Sequence, residues 1–79
     1  MSRPIHAIAR EIRVDWVAQG KRFPAAQPYL DAMFTLDSIN DKFIADSGKS
    51  IVLYFLCNVG TWRGETARRI KAELKALVK

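Results

Sequence analysis

The sequence predicts an all-α fold, a compact single-domain bundle of about four helices, and three observations carry that expectation. Apolar residues recur at helical spacing near the N-terminus, in the middle and at the C-terminus of the chain. Proline and glycine fall at the edges of these segments or between them. The one run rich in strand-forming residues, SIVLYFLCNV, has no second strand candidate to satisfy its backbone groups.

The elements follow in order. Residues 4–18 place Ile5, Ile8, Ala9, Ile12 and Trp16 on one helical stripe, Pro4 suits the first position, and Gly20 stops the helix. Residues 21–27, KRFPAAQ, form a connection. Pro28 opens a second helix over 28–39, with Tyr29, Leu30, Met33, Phe34 and Leu36 on a broad apolar arc. Asn40–Gly48 is polar, broken by Phe43-Ile44, with room for one helical turn. Residues 48–59 read as the third and central helix, apolar on all sides, capped by Ser47 and closed by Gly60. Strand propensity competes here, since Val, Ile, Tyr and Phe favour extended backbone. Thr61 then caps a last helix over 62–78.

Length and composition bound what this chain can do. At 79 residues, residues 1–79 make one helical domain with no room for a second core. A chain this short buries only about 60% of its unfolded surface. One cysteine excludes an internal disulfide, and one histidine leaves no Cys/His set for zinc, so no metal and no cofactor are expected. The N-terminus interrupts its apolar residues with charge, unlike a signal peptide. The apolar run from Ile51 to Cys57 is far short of the roughly 20 residues of a membrane helix. A soluble protein of the reducing cytoplasm is the expectation.

The stretch Ala45-Asp46-Ser47-Gly48-Lys49-Ser50 ends like a phosphate-binding loop. That motif needs a glycine five positions before the second one, where this chain has Phe43, and a buried strand before it. Residues 36–45 offer none. Ser47 as a helix cap, with Lys49 and Ser50 in the exposed first turn, explains the same letters. His6 lies beside Arg10 and Arg13 with no identifiable nucleophile, and reads as a surface histidine. Cys57, in the most apolar helix, reads as a buried and inert thiol. Asp31, Asp37, Asp41 and Asp46 lack the alternation of a calcium loop. No enzyme is expected.

Charge is more informative. The net charge is +5, and residues 62–79 alone carry +4 of it. On the last helix Trp62, Ala67, Ile70, Leu74, Leu77 and Val78 fill an apolar arc. Glu65, Arg69 and Glu73 follow at i, i+4, i+8 and can neutralise one another. Arg68, Lys71, Lys75 and Lys79 share a third arc with no acid among them. Such a stripe suits a nucleic-acid backbone or an acidic protein face, though a solvated helix end favoured by its dipole reads the same way. Asp37 and Arg63 both project onto apolar arcs, which suggests a buried pair; if the second helix instead ends at Leu36, Asp37 is solvated. A helix-turn-helix at Val59-Gly60-Thr61 is disfavoured because Trp62, the first reading position, looks committed to the core.

Read whole, the stretches IAREIRVDW, PYLDAMFTLDSIND, SIVLYFLCN and TWRGETARRIKAELKAL resemble a group of small helical proteins of temperate phages and prophages. The resemblance covers most of the chain and rests on overall pattern, with no catalytic motif. It implies an accessory product of a mobile element, of the kind that binds host machinery or defence systems. Mimicry of DNA by an acidic surface is excluded by the charge of +5. The expected function is therefore that of a non-catalytic binding protein contacting a macromolecular partner. The alternative is a nucleic-acid-binding module using the basic C-terminal helix.

Overall fold

The first helix, α1 (Ile5–Gln19), buries Ile5, Ile8, Ala9, Ile12 and Trp16, the stripe its spacing predicts. In the computed structural model, which describes residues 3–43 and 46–78, three more helices follow: α2 (Gln27–Met33), α3 (Gly48–Cys57) and α4 (Glu65–Leu77). The all-α bundle of four helices is thus the fold. α1 packs against α2 and α4, and α3 packs against the same two.

No side chain caps α1. Its first N–H groups are satisfied instead by the chain after α2: Ile5 donates to the Asp37 carbonyl at 3.0 Å and His6 to that of Leu36 at 2.9 Å. At the other end Gly20 takes the left-handed conformation (φ 64°), and the Gly20 and Lys21 N–H groups bond the carbonyls of Val17 and Trp16.

α2 is shorter than its apolar arc suggests, ending at Met33 rather than near Ile39. The Thr35 hydroxyl donates to the Ala32 carbonyl at 2.7 Å, competing with the backbone at the point where the helix stops. The following turn still buries Leu36. It then delivers the carbonyls that cap α1.

Between α2 and α3 the expected helical turn is replaced by a minimal antiparallel pairing of Lys42–Phe43 with Asp46–Ser47. The Asp41 carboxylate accepts from the N–H groups of Asp37 and Ser38, which folds the chain back. Ser47 then caps α3 as expected, its hydroxyl accepting from the Ser50 N–H at 3.2 Å. Gly48 is there for close approach: a Cβ would lie 2.7 Å from the Ser38 carbonyl oxygen. The glycine of Gly-Lys-Ser thus serves packing.

Two boundaries around α3 and α4 differ from the sequence reading. α3 ends at Cys57, and the Asn58 amide donates to the Tyr54 carbonyl at 2.8 Å, so the helix closes without a glycine at position 60. α4 begins three residues later than expected, after Gly64 at φ 119°, rather than after Thr61. The turn between them buries Val59 and Trp62.

α3 is central on one face only. Ile51, Val52 and Phe55 are buried, while Leu53, Tyr54 and Cys57 are exposed. The buried thiol expected from sequence is therefore corrected. The centre of the core is aromatic: the Trp16 ring lies 4.8 Å from Phe23, 6.0 Å from Phe55 and 5.9 Å from Trp62. Each such pair adds about 0.5–1.5 kcal/mol to its area burial.

Candidate binding face

The α1–α4 seam is laced by charge. Arg3 donates through two nitrogens to the Glu73 carboxylate, at 3.0 and 2.7 Å, and bridges Glu11 at 2.7 Å. Arg69 reaches the other oxygen of Glu11. The Arg69 hydrogen bond holds the Glu11 carboxyl below its ordinary value, with Arg3 adding to the effect and burial opposing it. The Arg3 guanidinium is raised in turn, chiefly by Glu73. Arg69 and Glu73 therefore find partners on α1 and at Arg3, rather than the intrahelical row read from sequence.

The rest of the helix's cations behave differently. Arg68 and Lys75 are exposed and form no ion pair among the described residues. Lys71 is half-buried: its ammonium donates to the Trp62 carbonyl at 2.7 Å and lies 5.8 Å from the centre of the Trp62 ring. Burial lowers the Lys71 ammonium from its ordinary value, and Lys75 and Arg63 push it the same way. Lys79, assigned to the same stripe from sequence, lies outside the described residues.

The proposed buried pair of Asp37 and Arg63 is corrected. Asp37 follows the end of α2, its side chain 80% exposed, and its carboxylate meets His6 at 3.0 Å. Arg63 precedes α4 in the exposed turn, and its carbonyl accepts from Gln19. The buried-pair reading extends helical geometry to residues where no helix exists; the alternative, a second helix that stops early and leaves Asp37 solvated, is what the structure shows. Arg63 belongs with the basic stripe, since its charge acts on Lys71. The late start of α4 hides this from sequence. Gly64, in a conformation only glycine adopts easily, was the available signal.

Trp62 holds this face to the core. Its ring is buried, and its indole N–H donates to the Asp15 carboxylate at 2.8 Å. Asp15 also accepts from Gln19, so α1 positions the turn that carries Arg63.

A second feature lies between the C-terminal half of α1 and α2. An open groove of about 1080 Å³ runs there, lined by Trp16, Phe23 and Leu30 below and by Arg13, Lys21 and Arg22 among its polar residues. The Trp16 indole N–H is buried with no partner among the described residues. Leaving such a donor unsatisfied costs about 1–3 kcal/mol. Sequence reasoning did not find the groove, because α1 and α2 meet through a connection whose path no local pattern specifies.

Among the described residues no group of three His, Cys, Asp or Glu side chains could hold a metal, and no helix is long and apolar enough to cross a membrane. The chain matches no protein-family model, no curated protein and no solved structure closely enough to show kinship.

Proposed function

We propose that the protein acts without chemistry of its own, by binding a macromolecular partner through the basic face of α4. One observation carries this reading. Cations on α4 and in the turn before it divide into those tied to acids at the seam, such as Arg69, and an outer set of Arg63, Arg68 and Lys75 with no acid partner among the described residues. Lys71 stays among them against desolvation and two like charges. Crowded cations cost free energy in the isolated protein and are relieved by a polyanionic surface. An acidic face of a host or defence-system protein is such a surface, in keeping with the accessory role that the phage resemblance implies.

Nucleic acid is the second reading, and the linear run of Arg68, Lys71 and Lys75 favours it. Seven residues of helix extend about 10 Å. That equals about three phosphate-to-phosphate steps along one strand at 3.4 Å of axial rise each. The N-terminal turn of α4 carries Glu65 and no set of side chains suited to base edges, so binding would be weak and indifferent to sequence.

The test is capture of partners from the native host with and without nuclease, beside a direct titration of duplex and single-stranded DNA. A nuclease-resistant partner that Arg68→Gln with Lys75→Gln releases supports the protein reading. Binding to DNA with a log–log salt slope near −0.9 per phosphate supports the second. If neither is seen at about 50 mM salt, where phosphate contacts are strong, the face is a solvated helix surface and the proposal falls.

A further inference from the structure

The groove between α1 and α2 shares no residue with the α4 face. Its floor is apolar, made by Trp16, Phe23, Leu30 and the half-buried Phe34. Pro24 and Pro28 form part of its wall, and their fixed backbone angles limit how far the groove must order on binding. Val17, 74% exposed, lines the same groove, with Val14 at 64% one turn before it. The two valines extend the apolar surface beside the groove along α1.

The polar residues set the sign of what fits. Arg13, Lys21 and Arg22 line the groove, are exposed, and form no ion pair among the described residues. The one acid lining it, Asp31, already accepts a hydrogen bond from Gln27 at 2.8 Å. Lys21 and Arg22 sit just past the end of α1, where the helix dipole favours cations. Arg13 is outside that last turn, so the positive lining exceeds what the helix end accounts for. The rings of Trp16 and Phe23 are almost wholly buried in the core cluster and leave little plane for a nucleobase to stack on. We propose that this groove is a docking site for an acidic protein segment, which sets an apolar side chain on the floor and carboxylates against Arg13, Lys21 and Arg22.

The test uses the full chain and a short synthetic peptide carrying Phe and Leu flanked by Asp and Glu. Backbone amide and indole N–H shifts are followed by NMR, with the Trp16 indole resonance as a second readout. Saturable shifts at Arg13, Val17, Gly20 to Phe23 and Asp31 are expected, weakening as salt rises. A peptide with Lys in place of the acids should give none. Arg13→Glu with Arg22→Glu should weaken binding at least about tenfold, with the thermal midpoint lowered by no more than a few degrees, because both side chains are exposed and only Arg22 lies near the helix end. Arg68→Gln with Lys75→Gln should leave peptide binding intact, which separates this site from the α4 face. The proposal is overturned by no saturable shift at millimolar peptide, shifts that map to α4 instead, binding insensitive to the Arg13/Arg22 reversal, or an oligonucleotide that takes the groove more tightly than the peptide. Concentration-dependent shifts of the free chain at the same residues also overturn it, since a second copy would then be the occupant.

Discussion

The inner and outer edges of α4 carry the same kinds of residue and do different things with them. At the inner edge Arg69 and Arg3 share the Glu11 carboxylate of α1, Arg3 also binds Glu73 of α4, and every charge there has an opposite neighbour. At the outer edge Arg63, Arg68, Lys71 and Lys75 have only one another and the Trp62 carbonyl among the described residues. Composition does not distinguish the edges. What separates them is which cations α1 reaches. A basic helix is evidence of a binding surface only after the cations consumed by the fold are subtracted, and on α4 that removes Arg69, which is tied to Glu11.

Trp62 joins the two edges, and removing it should have the largest effect. Trp62→Ala takes away a fully buried ring, its hydrogen bond to Asp15 and the platform under Lys71. A loss of about 3–5 kcal/mol is expected, enough to unfold much of a domain this small. Denaturant unfolding measures it. A loss below about 1 kcal/mol would mean that the turn does not anchor the outer edge, and the comparison would lose its structural basis.

The seam comes next. Glu11→Gln leaves Arg3 and Arg69 without a shared partner, and because three groups join in one network about 1 kcal/mol should be lost at neutral pH. The pH dependence has a definite sign. Glu11 is held below its ordinary 4.5 in the folded protein, so its contribution is present above that value and lost as pH falls through the lowered one. Wild type should therefore lose stability more steeply than Glu11→Gln below about pH 4.5, as thermal melts at successive pH values would record. Parallel curves would show that the seam is a solvated contact like the outer edge.

Much of this fold was legible in the sequence, and the places where it was not share a cause. α1 followed from Ile5, Ile8, Ile12 and Trp16 at helical spacing, and Gly20 and Ser47 marked its end and the start of α3 through local chemistry. What failed was extrapolation past a hidden boundary. Thr35 halts α2 and Gly64 delays α4, and each misplaced limit put one charge, Asp37 or Arg63, on a core arc it does not occupy. The ties of Arg3 to Glu73 and of Arg69 to Glu11 cross most of the chain, so no local pattern could show them. Arg68 and Lys75 were placed correctly because they lie well inside a helix with a clear apolar arc. The groove, built by a connection and two helix ends, had no periodic signal at all.

The outer edge itself should answer in binding more than in stability. Arg68→Gln with Lys75→Gln should leave the unfolding midpoint unchanged and, if DNA is the partner, reduce the salt slope by roughly two. Arg69→Gln should do the reverse, loosening the seam while changing the slope less, because its charge is already offset by Glu11. Equal effects of the two sets on binding would show that the inner and outer edges of α4 present their cations alike.

Lys71 is the finest test, because it belongs to both edges. Its ammonium is lowered from the ordinary 10.5, so folding favours the neutral amine. Stability should thus rise as pH climbs through the lowered value toward 10.5, the same sign as the response at Glu11 but in an alkaline window. At neutral pH the lost hydrogen bond to Trp62 and the relief of an unfavourable charge oppose each other in Lys71→Gln. The net change should stay within about 0.5 kcal/mol, a midpoint shift below about 4 °C. Its effect on polyanion binding should be smaller than that of Arg68 or Lys75, since the ammonium must leave the Trp62 carbonyl to reach a phosphate or carboxylate. Calorimetry and the salt titration read the two effects separately. A stability loss approaching that of Trp62→Ala would make Lys71 part of the fold, and the binding face would contract to Arg63, Arg68 and Lys75.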